Sequence, residues 1–159
     1  MKFERGRIGR TRTRASALTG AVACAGLTIG LWACDLWVEP KPEEVRFSLS
    51  GSDGKRAEVI YAIDFVSGQT ETGGARVHVI TPDTVIHTLP IDTVFDIQGA
   101  NQWFVLVRPL EGDTLEVQAT VAVDGRSVYS QAGGIFPQNP WAFVYLFNKL
   151  AAQVDEVTF

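Results

Sequence analysis

Cysteine is almost missing from this sequence of 159 residues: only Cys24 and Cys34 occur, and none follows. The last 125 residues therefore contain neither a disulfide framework nor a thiolate metal site. Histidine is as scarce, with His78 and His87 alone, so no zinc site can rest on imidazoles only. Basic residues are few after Cys34, where eight Lys and Arg face 17 Asp and Glu, a balance of −9. Such an acidic body cannot neutralise phosphates and argues against nucleic-acid binding. No uninterrupted strongly apolar run reaches the roughly 20 residues of a comfortable membrane-spanning helix. There is also no Gly-x-Ser-x-Gly elbow, no phosphate-binding loop and no Cys-His pair, so the expectation is a protein that is not an enzyme and uses no cofactor.

What is present begins with an asymmetry. Ahead of Cys34 stand Lys2, Arg5, Arg7, Arg10, Arg12 and Arg14 against Glu4 alone, a balance of +5. An uncharged stretch, Ala15 to Ala33, follows and contains Gly20, Gly26 and Gly30. A basic start, a moderately apolar stretch and a small residue before the boundary form the layout of a secretory signal over 1–33. The arginines favour keeping that end in the cytoplasm, which puts the remainder on the extracytoplasmic, periplasmic side. An uncleaved single-span anchor is the alternative reading of the same stretch.

The quartet Leu31-Trp32-Ala33-Cys34 resembles the lipobox of bacterial lipoproteins. The resemblance implies cleavage after Ala33 and acylation at Cys34, with Asp35 directly after it as the sorting position associated with inner-membrane retention. Two or more acyl chains hold a protein stably at a membrane, at about 0.8 kcal/mol per buried methylene, whereas one chain does so only marginally. Residues 34–44 carry Pro40 and Pro42 among Glu39, Glu43 and Glu44 and read as an extended tether.

From Val45 on, apolar and polar residues alternate, the period of a strand with one buried face. Val45, Phe47 and Leu49 do so, as do Val59, Tyr61, Ile63 and Phe65, and Leu115 through Val123. Gln102 to Val107 is apolar on both faces and reads as a central strand. Asp53-Gly54 and Asp124-Gly125 each suit the positive φ angles of a tight hairpin turn. Seven or eight strands are expected, near 45–50, 57–66, 75–81, 84–89, 93–98, 102–108, 114–123 and 126–132. Short strands at this spacing predict an all-β, immunoglobulin-like antiparallel β-sandwich over 45–159. At the end, Asn139-Pro140 followed by Phe143, Leu146, Phe147, Leu150 and Val154 at helical spacing predicts a short C-terminal helix. A further strand over Trp141–Phe147 is the alternative.

The stretches "VRFSLSGSDGKRAEVIYAIDF", "IHTLPIDTVF" and "GDTLEVQATVAVDGRSVYSQAGG" together resemble the small mycobacterial membrane proteins called MmpS and related bacterial domains. The residues that carry this are Val45, Gly51, Ala57, Val59, Tyr61, Leu89-Pro90, Val121, Val123-Asp124-Gly125 and Ala132-Gly133. The resemblance implies an N-terminally anchored, immunoglobulin-like envelope domain accessory to an RND-type transporter.

Three constellations are candidates for chemistry. His78 and His87 fall on neighbouring expected strands and would meet in a hairpin, but no third ligand has metal-site spacing. Asp64, Asp83, Asp92 and Asp96 lack the alternation of a calcium loop. Phe136, Trp141 and Tyr145 form the candidate partner surface, the competing reading being that these rings complete the core. The expectation is thus a lipid-anchored binding or scaffolding domain, with a small outer-membrane β-barrel as the competing architecture.

Overall fold

The computed structural model describes residues 40–159 except Gln98 and Glu111, so the signal, the lipobox and Asp35 lie outside the described residues. Lys41–Phe159 form one compact unit of eleven strands, with no helix among the described residues. The strands are β1 (Glu44–Ser50), β2 (Arg56–Ala62), β3 (Phe65–Gln69), β4 (Ala75–Val79), β5 (Asp83–Thr88) and β6 (Ile91–Asp96). Then follow β7 (Gln102–Pro109), β8 (Leu115–Val123), β9 (Arg126–Ile135), β10 (Trp141–Leu146) and β11 (Leu150–Thr158).

They make two sheets, a four-stranded one in the order β6-β1-β8-β9 and a seven-stranded one in the order β3-β4-β11-β10-β7-β2-β5. The sandwich expectation holds, and two open sheets packed around apolar side chains replace the competing barrel. All pairings are antiparallel except β4 with β11, which is parallel. That exception follows from β11 itself. Its first half pairs with β10 (Phe143 opposite Gln153), a bulge interrupts the register between Val154 and Glu156, and its second half runs beside β4.

The larger sheet must curl. Five strand positions separate β4 from β5 in the hydrogen-bond order, about 24 Å in a flat sheet, yet only residues 80–82 link them. Four Cα steps reach at most about 14 Å, so β3 and β4 fold back over β2 and β7. Asp64 fastens the fold: its carbonyl accepts from the Ile80 N–H at 3.0 Å.

Curling gives the domain two cores. Between the sheets lie Val45, Phe47 and Leu49 of β1, Val59, Trp103, Val105, Val107, Val121 and Phe143, with Phe47 and Trp141 stacked at 5.9 Å between ring centroids. Inside the curl lie Ile60, Phe65, Val77, Val79, Phe104, Leu106 and Val144, with Phe65 against Phe104 at 6.1 Å. Strand β7 serves both, Trp103, Val105 and Val107 on one face and Phe104 and Leu106 on the other, which is why its sequence shows no polar side.

Three expectations are corrected here. The C-terminal helix is not formed; β10 and β11 occupy its place, joined at Asn148, whose φ of 56° makes the turn. Trp141 and Phe143 face one core while Ala142 and Val144 face the other, so the apolar run there reflects burial of both strand faces. The run 57–66 is two strands, bent at Ile63-Asp64. Asp53-Gly54 is no hairpin turn: β1 pairs with β6 and β8, β2 with β5 and β7, so this segment carries the chain between sheets. Asp124-Gly125 does form the expected hairpin, with φ of 47° and 75° joining β8 to β9.

Candidate functional site

The expected tether enters the domain earlier than Val45. Glu44 opens β1, and the Asp124 carboxylate accepts from the backbone N–H groups of both Glu43 and Glu44 at 3.0 Å. The β8–β9 turn thus holds the chain where it joins the sandwich.

The three aromatic residues proposed as a partner surface part company. Trp141 is buried, its indole N–H donating to the Tyr129 hydroxyl at 3.2 Å beneath a cluster with Phe47 and Phe143. Tyr145 is half-buried against the inter-sheet core. Phe136 alone is exposed, at 45%, and lies over Gly134, where a Cβ would come within 3.0 Å of its ring.

His78 and His87 do not meet in a hairpin. His78 points outward from β4, between buried Val77 and Val79, and its Nδ1 shares a hydrogen bond with Thr158 Oγ1 at 3.0 Å. His87 stands opposite Ala57 of β2, at the other end of the strand order. Strand β4 turns into β5 without pairing with it, because β4 is taken by β3 and β11. Among the described residues no three His, Cys, Asp or Glu side chains converge to hold a metal. Asp92 is instead tied to Arg46, whose Nε donates to Asp92 Oδ1 at 2.8 Å. That hydrogen bond holds the Asp92 carboxyl below the usual carboxylate range and raises Arg46.

Two concavities among the described residues have the size of a small-ligand site, and the smaller, about 390 Å³ beside Thr70–Thr72 and Glu156, is the more open. A groove of about 560 Å³ opens at one end of the curl, within the roughly 300–1,000 Å³ typical of ligand pockets. Leu106 and Ala142, Val157 and Phe159, and the Pro137–Pro140 loop line it. Arg108 reaches the rim, paired with Glu58 at 3.0 Å. Sequence reasoning passed over these residues. The available signal was Arg108, the one charge in β7, but the groove it rims is also lined by Gln153–Asp155, where β11 passes from β10 to β4.

No protein-family model matches the chain, and no curated protein and no solved structure is similar to it.

Proposed function

We propose that this chain is an exported, lipid-anchored protein of the cell envelope, and that its β-sandwich acts outside the cytoplasm as a non-catalytic binding or scaffolding module accessory to an RND-type transporter. The observation that carries the reading is the order of features along the chain. A basic start and an uncharged stretch lead to Leu31-Trp32-Ala33-Cys34, then Asp35, then a proline- and glutamate-rich tether, then an acidic all-β domain. An anchored domain of this kind works through its surface, and the groove between Leu106 and Phe159 is the concavity at which we place ligand contact. The resemblance to MmpS proteins supplies the transporter as partner.

Metabolic labelling with a clickable fatty acid tests the anchor. The wild-type chain takes up label and Cys34→Ser does not; label that persists in Cys34→Ser refutes lipidation at this position. In-cell crosslinking followed by purification tests the partner, and recovery of no transporter component removes that part of the reading.

A further inference from the structure

The two sheets expose four edge strands among the described residues: β6 and β9 in the smaller sheet, β3 and β5 in the larger. An uncovered edge is a template for another strand, and proteins blunt such edges with charge, glycine, proline or bulges. Three of the four are blunted. Strand β6 carries Asp92 and Asp96, the former ion-paired with Arg46. Strand β3 is five residues long and contains Gly68. Strand β9 pairs through a bulge and contains Gly133-Gly134. Strand β5, Asp-Thr-Val-Ile-His-Thr, has no Gly, Pro or bulge, carries its one carboxylate, Asp83, at its first residue, and exposes Val85 at 37% and Ile86 at 54% along its middle.

The direction of its hydrogen bonds can be assigned. The Leu89 N–H donates to the Lys55 carbonyl at 2.9 Å, and the Leu89 carbonyl accepts from the Gly54 N–H at 3.1 Å, so Leu89 turns both groups toward the β2 side. The ladder from Arg56–Thr88 to Tyr61–Asp83 is regular. Alternation then turns His87, Val85 and Asp83 toward β2, and leaves the N–H and C=O groups of Thr84, Ile86 and Thr88 facing outward.

We propose that this edge pairs with the same edge of a second copy, joining two seven-stranded sheets antiparallel across a two-fold axis at Val85. An axis perpendicular to the sheet keeps every side chain on its own face, so partners must share parity. Centring on Val85 sets Val85 against Val85 of the second copy. It sets Thr84 against Ile86, so that the outward N–H and C=O groups of both residues are used. It also sets Asp83 against His87 at both ends, a carboxylate facing an imidazole twice over, as cross-strand complementarity favours. The register centred on Ile86 instead puts Val85 against His87 and leaves Asp83 facing Leu89, with neither polar side chain answered. The surface is therefore self-complementary in one register.

Cysteine crosslinking and sedimentation test this on the full chain in mild detergent. Val85→Cys sits in a non-hydrogen-bonded pair, where Cα atoms are about 4.5 Å apart, inside the ~4.4–6.8 Å window of a disulfide. Mild oxidation should give a disulfide-linked dimer of Val85→Cys. The wild-type chain, the control for Cys24 and Cys34, and Ile86→Cys should not do so. Across a concentration series the wild type should sediment at twice the mass of one chain. Ile86→Pro, which removes an outward N–H and no hydrogen bond to β2, should sediment as a single chain with unchanged circular dichroism, and Thr84→Lys should do the same. A wild type that stays monomeric throughout overturns the proposal. So does crosslinking through Ile86→Cys in place of Val85→Cys, a dimer that survives both Ile86→Pro and Thr84→Lys, or a Val85→Cys chain captured by a different protein.

Discussion

Gly51, just past the end of β1, offers a sharp test of how the chain leaves β1 against its neighbour β8. Its φ is +101°, a region that side-chain-bearing residues rarely enter, and an added Cβ would lie 2.5 Å from the Glu116 carbonyl oxygen and 3.3 Å from Val117 Cα. Neither neighbour can swing away, because both belong to the backbone of β8. Ser52 closes the contact by donating to the Glu116 carbonyl at 3.1 Å and accepting from the Glu116 N–H at 2.8 Å. Gly51→Ala therefore meets about 1–3 kcal/mol of backbone strain and about 1–3 kcal/mol of overpacking, offset by roughly 0.4–1 kcal/mol from a stiffer unfolded chain. The net expectation is a loss of about 2–5 kcal/mol. For a domain of this size that is a fall in Tm of roughly 6–20 °C, read by thermal circular dichroism and checked by urea unfolding. Gly68→Ala is the control: no atom lies within 4 Å of its added Cβ and its φ is ordinary. It should be neutral or gain up to about 1 kcal/mol, since glycine weakens a strand. A loss below about 1 kcal/mol for Gly51→Ala would show that β1 does not approach β8 in this way.

Further outcomes follow from the other contacts. Phe104→Ala empties the core inside the curl and should cost about 3–5 kcal/mol in urea unfolding; Phe104 has 0% exposure, and a near-neutral result would contradict a second core. Asp124→Ala removes the acceptor of two backbone hydrogen bonds at the domain entrance. It also strains a residue at φ 47°, so a loss of about 1–2 kcal/mol is expected, with Asp124→Asn nearer wild type because Asn also tolerates that φ. Because Arg46 lowers the Asp92 pKa in the folded state, the pair's contribution is fully present above the ordinary carboxylate pKa and disappears as pH falls through the lowered folded value. NMR titration should show the Asp92 pKa rising in Arg46→Gln; an unchanged value would mean the two side chains do not meet in solution.

Strands with one wet face were legible from the residues, because alternation reports burial directly. Val45-Phe47-Leu49 and Leu115–Val123 proved to be β1 and β8, and the doubly apolar Gln102–Val107 proved central. The misreading of 141–147 has the same physical origin. A strand buried on both faces has no period, and Phe143, Leu146, Phe147, Leu150 and Val154 fall at helical spacing by coincidence. Asn148, at the turn, was the discriminating residue. Asp53-Gly54 and the histidine pair failed for another reason: nearness in sequence was taken for pairing, whereas the chain changes sheets after Ser50 and β4 and β5 take different partners. The groove was invisible because its lining comes from strands far apart in sequence and includes the bulge of β11, and a register shift leaves no mark on composition.

The course of β11 also decides when the domain can be finished. The β3–β4 hairpin enters the hydrogen-bonded ladder only through β11, with Arg76 ion-paired to Glu156 across 80 residues of chain. A nascent chain that lacks β11 can already pair β2, β7 and β10 and seat Ile60, Phe104, Leu106 and Val144, but it cannot dock the hairpin until residues 150–158 emerge. Until those residues emerge, Phe65, Val77 and Val79 have no fixed seat. Until then the hairpin stays open to helpers or proteases, as long-range pairings require.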